Sequence, residues 1–156
     1  MLETDIPGFG LVTLEHLVSD FTGTLSIDGR LLPGVKEQLN KVAHFLKIHV
    51  LTADTFGKAR EELEGIKCEI HILTGENHDM QKEEYVKKLG AVAVVAFGNG
   101  NNDRMMLKAA RVGIAVCLDE GCSRDTLTSA DIMVKSPIDA IDLLLYPKRL
   151  KATLRF

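Results

Sequence analysis

The 156-residue sequence has no tryptophan, six phenylalanines and two tyrosines. So few aromatic rings offer little on which bases could stack, which argues against a single-stranded nucleic-acid binder. It also lacks an excess of basic charge. Nineteen Lys and Arg stand against 22 Asp and Glu, a formal net charge of −3, so a general binder of phosphate backbones is not expected. No run approaches the roughly 18 consecutive apolar residues of a membrane-spanning helix, and no membrane partner is expected. The early acids Glu3 and Asp5 replace the basic stretch that would open a secretory signal. The three cysteines are odd in number, and Cys117 and Cys122 have no adjacent histidine. The expectation is reduced, buried thiols in a cytoplasmic protein. Repeats, low-complexity tracts and linkers are absent as well, so one domain over 1–156 is expected, long enough to bury a single core. The closing basic cluster (Lys148, Arg149, Lys151, Arg155) reads as a solvated end.

The sequence instead alternates strand-like and helix-like segments, with 46% apolar and 26% charged residues. Residues 11–19 read as a strand ending at Asp20. Asp28-Gly29 is a favoured two-residue turn, so residues 25–32 form a short hairpin. Pro33 opens a helix over about 34–46, whose face carries Val35, Leu39, Val42, Ala43 and Leu46. Strands follow at 48–52, 69–73, 91–97, 113–118 and 131–134. Helices are predicted at about 57–65, 79–89 (stopped by Gly90), 102–110 and 138–145. Strands that alternate with helices and read as continuous apolar runs predict an α/β fold with a mainly parallel sheet covered on both faces. Ligands of such sheets bind beyond the carboxyl ends of the strands.

Polar residues collect at those ends: Asp20-Phe21-Thr22-Gly23-Thr24, Thr52-Ala53-Asp54, and Gly98-Asn99-Gly100-Asn101-Asn102-Asp103. Parallel strand ends converge, so the three runs should face one crevice. The helix beginning near Asn102 should aim its first N–H groups there, which favours an anion such as phosphate. Taken singly, each residue has an ordinary role: an Asp after a strand caps a turn, and a lone Thr or Lys is solvated surface. Taken together, in order and at strand ends, they describe a site.

These runs resemble the motifs of P-type ATPases, members of the haloacid dehalogenase-like (HAD) superfamily. Asp20–Leu25 is similar to D-x-T-G-T-L, and Thr52-Ala53-Asp54 to T-G-D. Lys82, Val86 and Leu89 follow K-x-x-x-V-x-x-L, and Gly98–Asp103 is similar to G-D-G-x-N-D. The likeness continues through Met105-Met106-Leu107 and Val112–Ala115, so it spans roughly residues 16–134. It implies a three-layer HAD-like Rossmannoid fold without a cap domain and a Mg²⁺-dependent phosphatase acting through an aspartyl-phosphate. Asp20 would be the nucleophile, with Thr22, Thr52 and Lys82 as the other catalytic residues. Thr52, Ala53, Lys82 and Phe21 would contact the phosphoryl group, and Asp20, Thr22, Asn99 and Asp103 the metal. The substrate would be a phosphorylated small molecule or macromolecule.

Two departures bear on mechanism. HAD phosphatases usually place a second Asp two residues after the nucleophile, to protonate the leaving group and activate water, and here that residue is Thr22. Acid–base help of this kind is worth ~10²–10⁴-fold, so slow dephosphorylation, or a substrate with a good leaving group, is expected. The second is Asn99, which stands where the family usually places a metal-binding Asp. Only 31 residues separate Asp20 from Thr52, too few for the inserted nucleotide-binding domain of the ATPases or for a cap. Little ATP selectivity follows, and a large phosphorylated partner or a neighbouring subunit in a homo-oligomer could act as the lid. The alternative is a non-catalytic regulatory module that uses phosphorylation of Asp20 as a switch. A metal-handling accessory role finds no support in Cys-x-x-Cys or His-rich spacing.

Overall fold

A computed structural model describes all 156 residues. The chain opens with an antiparallel pair, β1 (Leu2–Ile6) and β2 (Gly10–Leu14), in which Leu2 faces Leu14 and Ile6 faces Gly10. Next come β3 (His16–Asp20), the small hairpin β4 (Ser26–Ile27) and β5 (Arg30–Leu31), then α1 (Val35–Val42), β6 (Lys47–Thr52), α2 (Ala59–Glu62) and β7 (Glu69–Ile72). The second half comprises α3 (His78–Leu89), β8 (Val94–Gly98), α4 (Arg104–Ala109), β9 (Val112–Val116), α5 (Arg124–Ser129), β10 (Ile132–Val134), α6 (Pro137–Leu145) and α7 (Pro147–Leu154).

Six strands form one parallel sheet in the order β10-β9-β8-β3-β6-β7. From β3 the chain builds outward through β6 and β7, then returns to lay β8 on the other side of β3. Strand order therefore reverses between β3 and β8, where open α/β sheets make their ligand crevices. One face packs on α1, α2, α6 and α7 through a 27-residue core that includes Leu17, Leu39, Phe97, Ile114 and Ile141. The other face packs on α3 and α4 through Val18, Leu51, Val86, Ala96 and Met106. With helices on both faces, β8 and β9 are buried at every residue, as their unbroken apolar sequence requires.

The α/β class, the parallel sheet and most of the expected elements are present. The Asp28-Gly29 turn takes positive φ at both residues (51° and 75°), the geometry of a type I′ hairpin. Gly90 ends α3 with φ 88°. Between β3 and β6 the chain holds only the β4–β5 hairpin and α1.

Two expectations need correction, the strand over 11–19 and the free thiols at Cys117 and Cys122. The predicted strand over 11–19 is two strands, broken at Glu15. Burial alternates in Val12-Thr13-Leu14 but is continuous from Leu17 to Asp20, because β2 joins the two-stranded sheet and β3 the covered one. The pair β1–β2 and helix α5 were not anticipated. The basic end is solvated as expected, with Lys148, Arg149 and Arg155 exposed, and it is also helical: α7 buries Leu150 and sets Arg149 against Asp142 (3.1 Å) and over the Tyr146 ring (4.4 Å). Finally, Cys117 and Cys122 are not free thiols but a disulfide, with Cα atoms 4.9 Å apart. A tight turn, in which the Gly121 N–H donates to the Leu118 carbonyl, brings together two cysteines that the sequence spacing alone left apart. Cys68 alone is free and half-buried, and burial raises its thiol pKa. No helix is long and apolar enough to cross a membrane.

Candidate active site

Asp20 ends β3, the strand at the switch point, and its side chain is almost completely buried. A lone buried carboxylate would be strongly disfavoured, and its partner comes from 62 residues away. Lys82 lies on the sheet-facing side of α3, one helical turn before Val86, and both are fully buried. Its Nζ donates to Asp20 Oδ1 (2.7 Å) and to Asp103 Oδ1 (2.6 Å). Burial pulls the Lys82 pKa down, but the two carboxylates outweigh it and hold the ammonium well above its usual value. Asp20 moves the other way. Burial first, and then the Asp103 charge, push its pKa up to about 6 against the opposing pull of Lys82.

Asp20 Oδ2 is more lightly held, accepting only from the Thr24 hydroxyl at 3.0 Å. The same hydroxyl lies 3.2 Å from Asn99 Oδ1. It has one proton to share between two oxygens, so the pair retains capacity for another electrophile. The Asn99 amide is oriented by its Nδ2–H, which donates to the Gly121 carbonyl (3.1 Å) and leaves Oδ1 to face the Thr24 hydroxyl. Gly23 makes this approach possible. Its φ is 79°, and a Cβ there would lie 2.4 Å from Asn99 Nδ2, so a larger residue would both strain the turn and displace Asn99.

These groups open on a cleft of about 340 Å³ in which Ala53 is the one hydrophobic lining residue. Asp20, Thr22, Thr52, Ala53 and Asn99, all singled out in the sequence, line it. Thr52 accepts the Asp54 N–H on its hydroxyl oxygen (2.9 Å), which leaves the hydroxyl proton free to donate into the cleft. Asp54, at φ 52°, caps α2 by accepting the Lys58 and Ala59 amides.

Three expected residues do not reach the cleft. The Phe21 side chain is in the core, so any phosphate contact at that position falls to its main-chain amide. Lys82 lies beneath Asp20 with no solvent exposure. Asp103 is also fully buried: Oδ1 takes Lys82, while Oδ2 takes the Asn99 and Gly100 amides (2.9 and 3.0 Å). Gly98 permits it, as a Cβ there would sit 2.5 Å from that of Asp103.

Thr24 and Glu120 were overlooked. Thr24 is within the quoted motif, and its spacing of four residues from Asp20 in a tight turn was a usable signal. Glu120 lines the cleft from the loop after β9, which the Cys117–Cys122 bridge closes. Its Oε2 lies 3.0 Å from where a Gly23 Cβ would be, beside Asn99, and no motif marks it. The cleft thus offers hard oxygen donors only: the Asp20 carboxylate, the Asn99 amide oxygen, the Thr22 main chain and the Glu120 carboxylate. That set fits a small hard divalent cation.

Comparison with known proteins supplies relatives. No family model matches the chain. The uncharacterized protein MJ0073 of Methanocaldococcus jannaschii is 49% identical over 77 residues, which are 49% of this chain and 77% of that protein. The chain belongs to that protein's family. Among solved structures, the 3-deoxy-D-manno-octulosonate 8-phosphate phosphatase of Moraxella catarrhalis, in complex with magnesium, phosphate and KDO, has a TM-score of 0.69 at 15% identity. It is matched over 91% of this chain and 94% of its own. The cobalt-bound deoxy-D-mannose-octulosonate 8-phosphate phosphatase (YrbI) of Haemophilus influenzae has a TM-score of 0.67 at 14% identity, over 92% and 94%. The catalytic domain of the CPx-ATPase CopB-B is 25% identical with a TM-score of 0.55, over 78% of this chain and 46% of that one. The fold that this chain shares with these phosphatases is the HAD-like Rossmannoid fold.

Proposed function

We propose that the protein is a Mg²⁺-dependent phosphatase that passes through an aspartyl-phosphate on Asp20, and that the second half of its cycle is slow. One observation carries this reading: at the switch point, a buried carboxylate has one oxygen fixed by an equally buried lysine and the other facing a polar cleft. The phosphatase structures of the same fold support it, as does the CPx-ATPase domain for the motif likeness.

Lys82 holds Oδ1, so attack falls to Oδ2. A new O–P bond forms there while the bond to the leaving oxygen breaks. Thr52 donates to a non-bridging oxygen of the transferring group, beside the Ala53 main chain. A magnesium ion held by Asp20, the Thr22 carbonyl, Asn99 and Glu120 would screen the repulsion between carboxylate and phosphate. The leaving oxygen must take its proton from solvent, because Thr22 has a hydroxyl where an acid would be needed. Substrates whose leaving groups are stable as anions, such as acyl and aryl phosphates, are therefore preferred. Hydrolysis of the acyl-phosphate then lacks a side-chain base.

The same Thr22 favours a second reading, in which the phosphorylated Asp20 persists as a switch. A single experiment separates the two. The protein and Asp20→Asn are incubated with Mg²⁺ and acetyl phosphate or para-nitrophenyl phosphate, and both product release and the protein-bound phosphoryl group are followed. Multiple turnovers that vanish in Asp20→Asn support the enzyme. One stable equivalent of adduct supports the switch, and neither adduct nor turnover overturns both.

A further inference from the structure

A second cluster of chemically active side chains lies on the α3-facing side of the sheet, away from the cleft. The parallel register puts His49 of β6 opposite Glu69 of β7, and period two puts His71 on the same face as Glu69. His49 Nδ1 is 3.4 Å from Glu69 Oε2, and His71 Nε2 is 3.7 Å from the same oxygen. All three atoms lie within 4.8 Å of one another. A tetrahedral ion with bonds of about 2.0–2.1 Å separates its ligand atoms by about 3.3–3.4 Å. Two edges of the triangle are already close to that spacing.

The surroundings suit a ligand set. His49 Nε2 lies 3.1 Å from His16 Nδ1. With the proton on Nε2, His49 donates to His16 and leaves its Nδ1 lone pair facing both the Tyr85 hydroxyl and Glu69. An outer hydrogen bond of this kind orients a metal-binding imidazole. In that tautomer a lone pair and a carboxylate face each other, an arrangement that a cation between them relieves. The Tyr85 hydroxyl reaches both ligand nitrogens, at 2.9 Å from His49 and 2.6 Å from His71, and is within range of a fourth position. The His49 side chain is 3% exposed, while those of His71 and Glu69 are 41% and 65% exposed. The site therefore has a rigid inner anchor and two outer ligands open to solvent.

We propose that His49, Glu69 and His71 form a binding site for Zn²⁺ or a similar borderline divalent transition ion, distinct from the oxygen-lined cleft at Asp20. Two imidazoles and one carboxylate select such ions over Mg²⁺, which takes oxygen ligands and keeps its waters. No electron or group transfer is involved.

The test is equilibrium dialysis of the full chain against Zn²⁺ in the Asp20→Asn background, which weakens the cleft as a competing site, followed by Co²⁺ substitution. One equivalent of Zn²⁺ is expected, with the visible bands of four-coordinate Co²⁺, and with at least tenfold weaker binding in His71→Ala and in Glu69→Gln. Both positions are partly exposed, and circular dichroism checks that the variants fold. An excess of Mg²⁺ should leave the bound Zn²⁺ in place. Failure to retain an equivalent of Zn²⁺ would overturn the proposal. Zn²⁺ binding with the same affinity in both variants, which would place the ion elsewhere, would overturn it too.

Discussion

Lys82 Nζ sits 2.7 Å from Asp20 Oδ1, an ion pair with almost no access to solvent. Because Asp103 shares the same ammonium, two buried carboxylates divide one cation, and the surplus negative charge falls on the residue at the cleft. This is the physical origin of the raised Asp20 pKa, after burial itself.

That shift has a consequence for stability. The folded protein holds the Asp20 proton up to about pH 6, whereas the unfolded chain releases it near the ordinary value of about 4. Folding is therefore favoured most below about pH 4 and loses this contribution as pH rises through 6. Asp20→Asn in metal-free buffer should raise the melting temperature by a few degrees at pH 8, with the difference closing toward pH 4. Thermal melts across that range check it, and a lower melting temperature for the variant at pH 8 contradicts it.

Removing the cation should be costly. Lys82→Met leaves Asp20 and Asp103 buried and unpaired, a loss of about 3–5 kcal/mol. Lys82→Met combined with Asp103→Asn should recover part of that loss, since one of the stranded charges has gone. Urea denaturation of the parent, Lys82→Met, Asp103→Asn and the double variant measures the coupling, and strict additivity would show that the three groups do not act as a unit.

Cation affinity in the cleft should follow carboxylate count. Asn99→Asp restores a charge and should tighten Mn²⁺, used as a Mg²⁺ surrogate, by about tenfold. Glu120→Gln should weaken it by a similar factor. Electron paramagnetic resonance of free Mn²⁺ gives both constants. No change in either variant would remove the cleft as a divalent-cation site.

Turnover should respond to Thr22. Thr22→Asp adds the missing acid and base beside the cleft, and should speed decay of the Asp20 adduct by about 10²-fold. Chasing labelled protein after removal of the donor measures this. An unchanged lifetime would place the slow step elsewhere.

The disulfide links stability to the cleft. Closing so short a loop is worth about 2 kcal/mol on the chain-entropy model. Replacing Cys117 and Cys122 with Ser should lower stability by about that amount. It should also weaken Mn²⁺ binding, because Glu120 and the Gly121 carbonyl both ride on the closed loop. Denaturation and titration of the oxidised parent and the double variant decide it.

Much of the architecture was legible in the chain. Period-two and period-3.6 patterns are set by nearest neighbours, so β6, β8, α1 and α3 stand close to where they were expected, and Asp28-Gly29 and Gly90 act through their own backbone freedom. The convergence of Asp20, Thr52 and Asn99 followed from the geometry of parallel strands. The break at Glu15 was written in the change from alternating to continuous burial, but only the partner strands reveal it. The helix of the basic end was hidden because its stability comes from Leu150 and its contacts with α6, not from its own composition.

By itself, then, the sequence determined that polar residues gather at the carboxyl ends of apolar strands, because strand periodicity and turn chemistry are local properties. Tertiary structure decided how their charges are shared. It committed both Asp103 oxygens to Lys82 and to loop amides, brought Glu120 to the cleft on a bridged loop, and stacked three histidines on one face of the sheet. Each of these depends on groups distant in the chain, and proximity across a sheet is fixed only when the strands have taken their order.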